Sequence, residues 1–166
     1  MNKLLSYIGV YAPIILFVSS LFLLYDMKHI YDITNYFFPL YFVVGFIINN
    51  IINILLKITI KEKRPLNDDK RIELGIVNGH RTFFDKFGMP SGHAQNCAYI
   101  LTFITLALRN FMIFNIYLLI IIISLLQRYL YNNHSILQLF VGLCIGILVA
   151  YISYKYGIIL TLIILN

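Results

Sequence analysis

Charge interrupts this chain so rarely that most of it lies in runs of Ile, Leu, Phe, Val and Tyr too long to hide inside one soluble globule. A helix needs roughly 17–25 apolar residues to cross the hydrocarbon layer of a bilayer. Five stretches meet that measure: about Ile8–Tyr25, Phe37–Ile60, Gly92–Leu108, Phe111–Tyr131, and a fifth from near His134 to about Tyr154. The expected fold is therefore all-α, a polytopic transmembrane helical bundle of about five spans in a single domain, residues 1–166. Composition agrees: 60% of the residues are hydrophobic and 12% charged, the latter about half of what a soluble domain carries.

The segments between the runs are short, with one exception. Asp26–Asn35 separates the first two spans, and Arg109-Asn110 makes a tight turn between the third and fourth. Lys61–Pro90 does not span and holds most of the charge; short interfacial helices are expected there, with Phe83, Phe84 and Phe87 either dipping into the interface or packing on the protein. The apolar tail Lys155–Asn166 is too short to cross alone and reads as an extension of the fifth helix. The first run follows a lone Lys3 and lacks a small-residue cleavage site, so it reads as a retained span rather than a signal peptide. Cys97 and Cys144 lie in apolar stretches, where a thiol behaves as a small hydrophobe; neither a disulfide nor a metal site is expected.

The net charge of +6 is localised. Ten of the thirteen Lys and Arg residues lie at the N-terminus, in residues 57–86, or at Arg128. Such a distribution argues against a nucleic-acid coat. It suits an anionic group at the bilayer surface, such as a lipid phosphate, or charge that sets topology. Counting crossings puts the end of the second span, the start of the third, the end of the fourth and the start of the fifth on one membrane face. Positive-inside counting places that face in the cytosol.

Four pieces of sequence meet on that face: Lys57 with Arg64-Pro65, then Pro90-Ser91-Gly92-His93, then Arg128, then His134 with Gln138 four residues on. Six residues separate Lys57 from Arg64 and five separate Arg128 from His134. Over about residues 50–150 the pattern resembles the type-2 phosphatidic acid phosphatase superfamily, which reads Lys-x6-Arg-Pro, Pro-Ser-Gly-His and Ser-Arg-x5-His-x3-Asp. Two positions depart from it, Gln127 in place of Ser and Gln138 in place of Asp. Gln at the second position is similar to the dolichyl diphosphatase branch. So are Gly88-Met89-Pro90-Ser91-x-His93-Ala94-Gln95 and Asn53-x-Leu55-Leu56-Lys57.

Physical chemistry gives each motif residue a role compatible with that resemblance. Phosphoryl transfer spreads negative charge over equatorial oxygens, so catalysis is mainly positioning and electrostatic stabilisation. Lys57, Arg64 and Arg128 would bind the phosphate without a metal ion, the two arginines by forks and the lysine as a point charge. Taken alone, Lys57 is equally a snorkelling anchor of its span. Ser91 and Gly92 open the third helix, where free N–H groups favour an anion, and Ser91 also fits an N-cap. His134 is the candidate nucleophile, with Gln138 on the same helix face to accept its Nδ1–H. His93 is the candidate general acid and base, or a helix-start histidine bonded to backbone. Gln127 would donate its amide where the family offers a hydroxyl. His29 and His80 match no motif, and Asp85 and Glu73 read as solvated loop charges rather than metal ligands.

The resemblance implies a hydrolase with no cofactor and no metal, acting on a lipid substrate in the bilayer through a phosphohistidine. Its branch implies a polyprenyl diphosphate and the lumenal face of the endoplasmic reticulum. A phosphatidate or phosphatidylglycerophosphate phosphatase is the alternative substrate reading. A catalytically weak lipid-binding membrane protein is the alternative from another class, supported by the two Gln departures.

Overall fold

The computed structural model describes residues 3–26, 37–65, 70–73, 76–81 and 83–165. Five helices make up most of them: α1 (Lys3–Asp26), α2 (Phe37–Ile60), α3 (Gly92–Leu108), α4 (Phe111–Leu130) and α5 (Ile136–Leu165). Four of these, α1, α2, α4 and α5, are long and apolar enough to cross a membrane. The transmembrane helical bundle expected from the apolar runs is the fold. α1 begins at Lys3 rather than near Ile8, and α5 continues through the apolar tail as one 30-residue helix. His29 and the rest of the first polar connector lie outside the described residues.

α3 has 17 residues, the fewest of the five, and touches all four of the others. Its buried residues run from Ala94 to Ile104 and include Cys97, Ala98, Tyr99, Ile100 and Phe103. Below the polar end, Phe42 and Phe103 meet edge to face at 5.3 Å, and the Tyr99 hydroxyl donates to the Phe42 carbonyl at 2.9 Å.

Lipid is as apolar as the helix surfaces, so something other than hydrophobicity must hold the helices together: close packing at small residues, and polar bonds. Both occur around α3. Gly142 and Gly146 of α5 lie against Ser91, Ala94, Gln95 and Ala98 so closely that a Cβ at Gly142 would stand 2.6 Å from the Ser91 carbonyl oxygen. One at Gly146 would overlap the Gln95 carbonyl. On an adjacent side, five carboxamides join α2 to α3. Asn49 donates to Asn96 (2.8 Å), Asn96 to Asn50 (3.0 Å), Gln95 to Asn49 (2.9 Å) and Asn53 to Gln95 (2.8 Å).

α1 docks on α4 by a different device. Pro13 has no N–H, which leaves the Gly9 carbonyl without its intrahelical donor. The Ser124 hydroxyl of α4 supplies one at 2.8 Å. Further along, the hydroxyls of Ser19 and Ser20 meet that of Tyr117 at 2.8 and 3.2 Å.

The connector between α2 and α3 departs from expectation. Instead of short interfacial helices, its described residues form two antiparallel strands, β1 (Lys70–Glu73) and β2 (Ile76–His80), and a single 3-10 turn at Phe83–Lys86. The pairing sets Lys70 opposite His80 and Glu73 opposite Ile76. Short runs with β-branched Ile72, Ile76 and Val77 about Gly75 favour a hairpin over a helix. A bridge between Lys63 and Phe87 folds the segment back on itself. Phe83 and Phe84 are exposed, as residues reaching an interface would be.

The α3–α5 contact gives a direct test. Gly146→Val should overpack it and cost about 1–3 kcal/mol, lowering the unfolding midpoint in detergent. The lipid-facing Leu148→Val, at an exposed position, should leave the midpoint unchanged.

Candidate active site

The antiparallel helices bring the end of α2, the start of α3, the end of α4 and the start of α5 to one end of the bundle. The N-terminal half of α1 joins them there, with the Ser6 hydroxyl 3.1 Å from that of Tyr131. Lys57, Arg64, Ser91, Arg128, His134 and Gln138 are all buried at this end. Local geometry explains the placement of His134. After α4, Asn132 takes a left-handed φ of 51°, a conformation Asn tolerates. The chain then turns back so that the Arg128 carbonyl accepts the N–H groups of Asn133 (2.9 Å) and His134 (3.3 Å).

Both nitrogens of the His134 ring are assigned by their neighbours. Nδ1 lies 2.9 Å from the Gly88 carbonyl oxygen, which can only accept, so Nδ1 carries the proton. Nε2 lies 2.9 Å from Arg64 NH1, which can only donate, so Nε2 presents its lone pair. The two constraints are independent and agree. Burial, then the positive charges of Arg64, Lys57, His93 and Arg128, hold the ring's pKa well below its ordinary 6.5. Those four cationic or titratable groups therefore lie within electrostatic reach of one imidazole, although they come from α2, the connector, α3 and α4.

Gln138 uses both ends of its amide. Its nitrogen donates to Glu62 Oε1 at 2.7 Å and to the Lys63 carbonyl at 2.8 Å. Both partners accept only, so the amide oxygen must face the other way, toward His134 Nδ1 at 3.3 Å and the Ser135 N–H at 3.2 Å. The Gly88 carbonyl is thus the nearer acceptor for Nδ1–H, and Gln138 the farther. A Cβ at Gly88 would overlap the Gln138 amide, so the glycine is what lets the two pack together.

The remaining expected residues are distributed as follows. Lys57 donates to the Phe87 carbonyl at 2.8 Å, which places it at the site rather than as a snorkelling anchor. Arg64 donates to the Asp85 carbonyl through Nε (3.0 Å) and NH2 (2.9 Å) and to the Asn133 carbonyl through NH1 (2.8 Å). Ser91 is the N-cap of α3, its hydroxyl accepting the Ala94 N–H at 3.4 Å. At Gly92 a Cβ would meet only Asn53, at an ordinary 3.4 Å, so the protein itself does not demand glycine there. His93 reaches α1, with Nε2 3.0 Å from the Val10 carbonyl oxygen. Gln127 does not join the cluster through any hydrogen bond. It is fully buried where Gly9 of α1 packs on its Cβ, and its amide has no hydrogen-bond partner among the described residues.

Three contributors were missed in the sequence. Asp85 is not a solvated loop charge: it pairs with Arg64 NH2 at 2.9 Å and with Arg81 NH1 at 3.5 Å. Arg81, absent from every motif, is buried beside the site and bonded to Asn133 Oδ1. Glu62 orients Gln138. None carries a periodic or motif signal, although a glutamate two residues before Arg64 could have drawn notice. His80 is exposed, and among the described residues no three His, Cys, Asp or Glu side chains converge as metal ligands would.

Comparison with curated proteins and with solved structures gives no match. The PAP2 superfamily matches residues 38–159, most of the chain and all three motif segments. With its motif residues gathered at one end of a membrane-spanning bundle, this chain belongs to the PAP2 superfamily, the type-2 phosphatidic acid phosphatases, whose members are phosphatases.

Proposed function

We propose that the chain hydrolyses the terminal phosphate of a polyprenyl diphosphate, without a metal ion, through a phosphohistidine on His134. The observation that carries this reading is the pair of bonds on the His134 ring, which leaves the Nε2 lone pair pointing at Arg64, a side chain suited to hold phosphate oxygens. A neutral imidazole of depressed pKa is available as a nucleophile at any pH near neutrality.

In the first step Nε2 bonds to the terminal phosphorus and the bridging P–O bond breaks. Its electron pair stays on the oxygen of the departing lipid monophosphate. Arg64, Lys57 and Arg128 bind the oxygens of the transferred group, as do the N–H groups that open α3 beside Ser91 and Gly92. The Val10 carbonyl keeps a proton on His93 Nε2, so Nδ1 is the atom that hands a proton to the leaving oxygen. In the second step His93 Nδ1 takes a proton from water, the water oxygen bonds to phosphorus, and the N–P bond returns its pair to His134. Orthophosphate leaves.

Gln138 favours the dolichyl-type branch. A carboxylate at that position has no donor for Glu62 or the Lys63 carbonyl, so the residue that distinguishes the branch is built into how the connector seats on α5. A polar site at helix ends would lie near the headgroups, which suits a lipid whose tail stays in the bilayer.

Three outcomes are expected. Purified protein in detergent with EDTA should release phosphate from a polyprenyl diphosphate faster than from phosphatidic acid; a preference for phosphatidic acid would move the substrate to glycerolipids. His134→Ala should lose on the order of 10³-fold or more of kcat and fail to trap labelled phosphate as an acid-labile, alkali-stable adduct. The pH profile of kcat/KM should hold its acid limb well below 6.5. Arg64→Met removes a positive neighbour, makes the imidazolium less costly and raises its pKa, so that limb should move to higher pH.

A further inference from the structure

Arg81 is an arginine with 7% of its surface exposed, and no motif or family position accounts for it. Two of its partners, Asn133 and Asp85, also bind Arg64. Asn133 accepts from Arg64 through its backbone oxygen and from Arg81 through its side-chain oxygen. Asp85 faces Arg64 NH2 with one carboxylate oxygen and Arg81 NH1 with the other. Two guanidiniums are thus bracketed by the same two residues, one of them adjacent to His134. Both also lie within electrostatic reach of Lys57.

Holding a buried guanidinium close to Arg64 and Lys57 is expensive if its task is only to tie down a loop, since a neutral donor would bond Asn133 with less desolvation. An anion with more than one phosphate removes that objection. Resting on the diphosphate reading above, we propose that Arg81 binds the lipid-linked phosphate of the substrate and neutralises it as it leaves. When the bridging P–O bond breaks, the electron pair lands on a phosphate oxygen rather than an alkoxide. Besides the proton that His93 hands to the bridging oxygen, such a leaving group has further charged oxygens for a cation to meet. Asp85 is 36% exposed at the rim and spans both guanidiniums as one carboxylate. A diphosphate carries enough oxygens to engage each guanidinium by a fork.

The test compares kcat/KM of the purified full chain for a polyprenyl diphosphate and for the monophosphate of the same chain length. Arg81→Met should lower the diphosphate value by about 10–100-fold and the monophosphate value by less than about threefold. Arg81→Lys keeps the charge and loses the fork, so its selectivity should fall between, and it carries the comparison alone should Arg81→Met not fold. Equal losses on both substrates, or full selectivity in the variants, would overturn the role of Arg81 and leave the diphosphate reading standing. Wild-type protein that hydrolyses only the monophosphate would remove both.

Discussion

Four buried cations, Lys57, Arg64, Arg81 and Arg128, share one end of this bundle, and such a cluster is tolerable only if its charges are met by acceptors. The acceptors found are mostly neutral. Backbone carbonyls of Phe87, Asp85 and Asn133 receive Lys57 and Arg64, and that of Gly88 receives the His134 proton. Asp85 pairs with Arg64 and with Arg81. Carbonyl oxygens hold a cation in place without cancelling it, so this end of the bundle keeps a positive potential. The connector is therefore part of the site: its backbone is what makes the cluster affordable.

This arrangement also determines what binding must change. Arg64 NH1 sits on the very nitrogen that would attack phosphorus. A phosphate entering the cluster offers Arg64 charged oxygens in exchange for a neutral imidazole nitrogen, and charge-assisted bonds are the stronger. In the proposed reaction, arrival of the anion would uncover the nucleophile. A separate cavity of 380 Å³ at the other end of α3, lined by Thr105, Arg109 and Phe114 among others, belongs to the opposite face.

Much of this was legible because it is written in length and spacing. The apolar runs located the helices, with α3 matching its expected bounds, and the motif spacings located Lys57, Arg64, Ser91, His93, Arg128 and His134. The hairpin was missed because a charged segment with few apolar residues has weak periodicity of either kind. Gly142-x-x-x-Gly146 was a readable signal for the α3–α5 contact and was passed over. Arg81, Asp85 and the Val10 carbonyl were not readable in principle. A backbone oxygen has no sequence identity, and an arginine in a basic connector looks like its neighbours until the fold buries it.

The superfamily match starts at residue 38, after α1 has ended, yet α1 supplies the oxygen that holds His93. Pro13, by freeing the neighbouring Gly9 carbonyl for Ser124, fixes the height at which that helix docks. A fragment cut to the shared family region would retain every motif residue and lose the group that orients one of its two imidazoles. Minimal versions of this protein must therefore be drawn from the first helix onward.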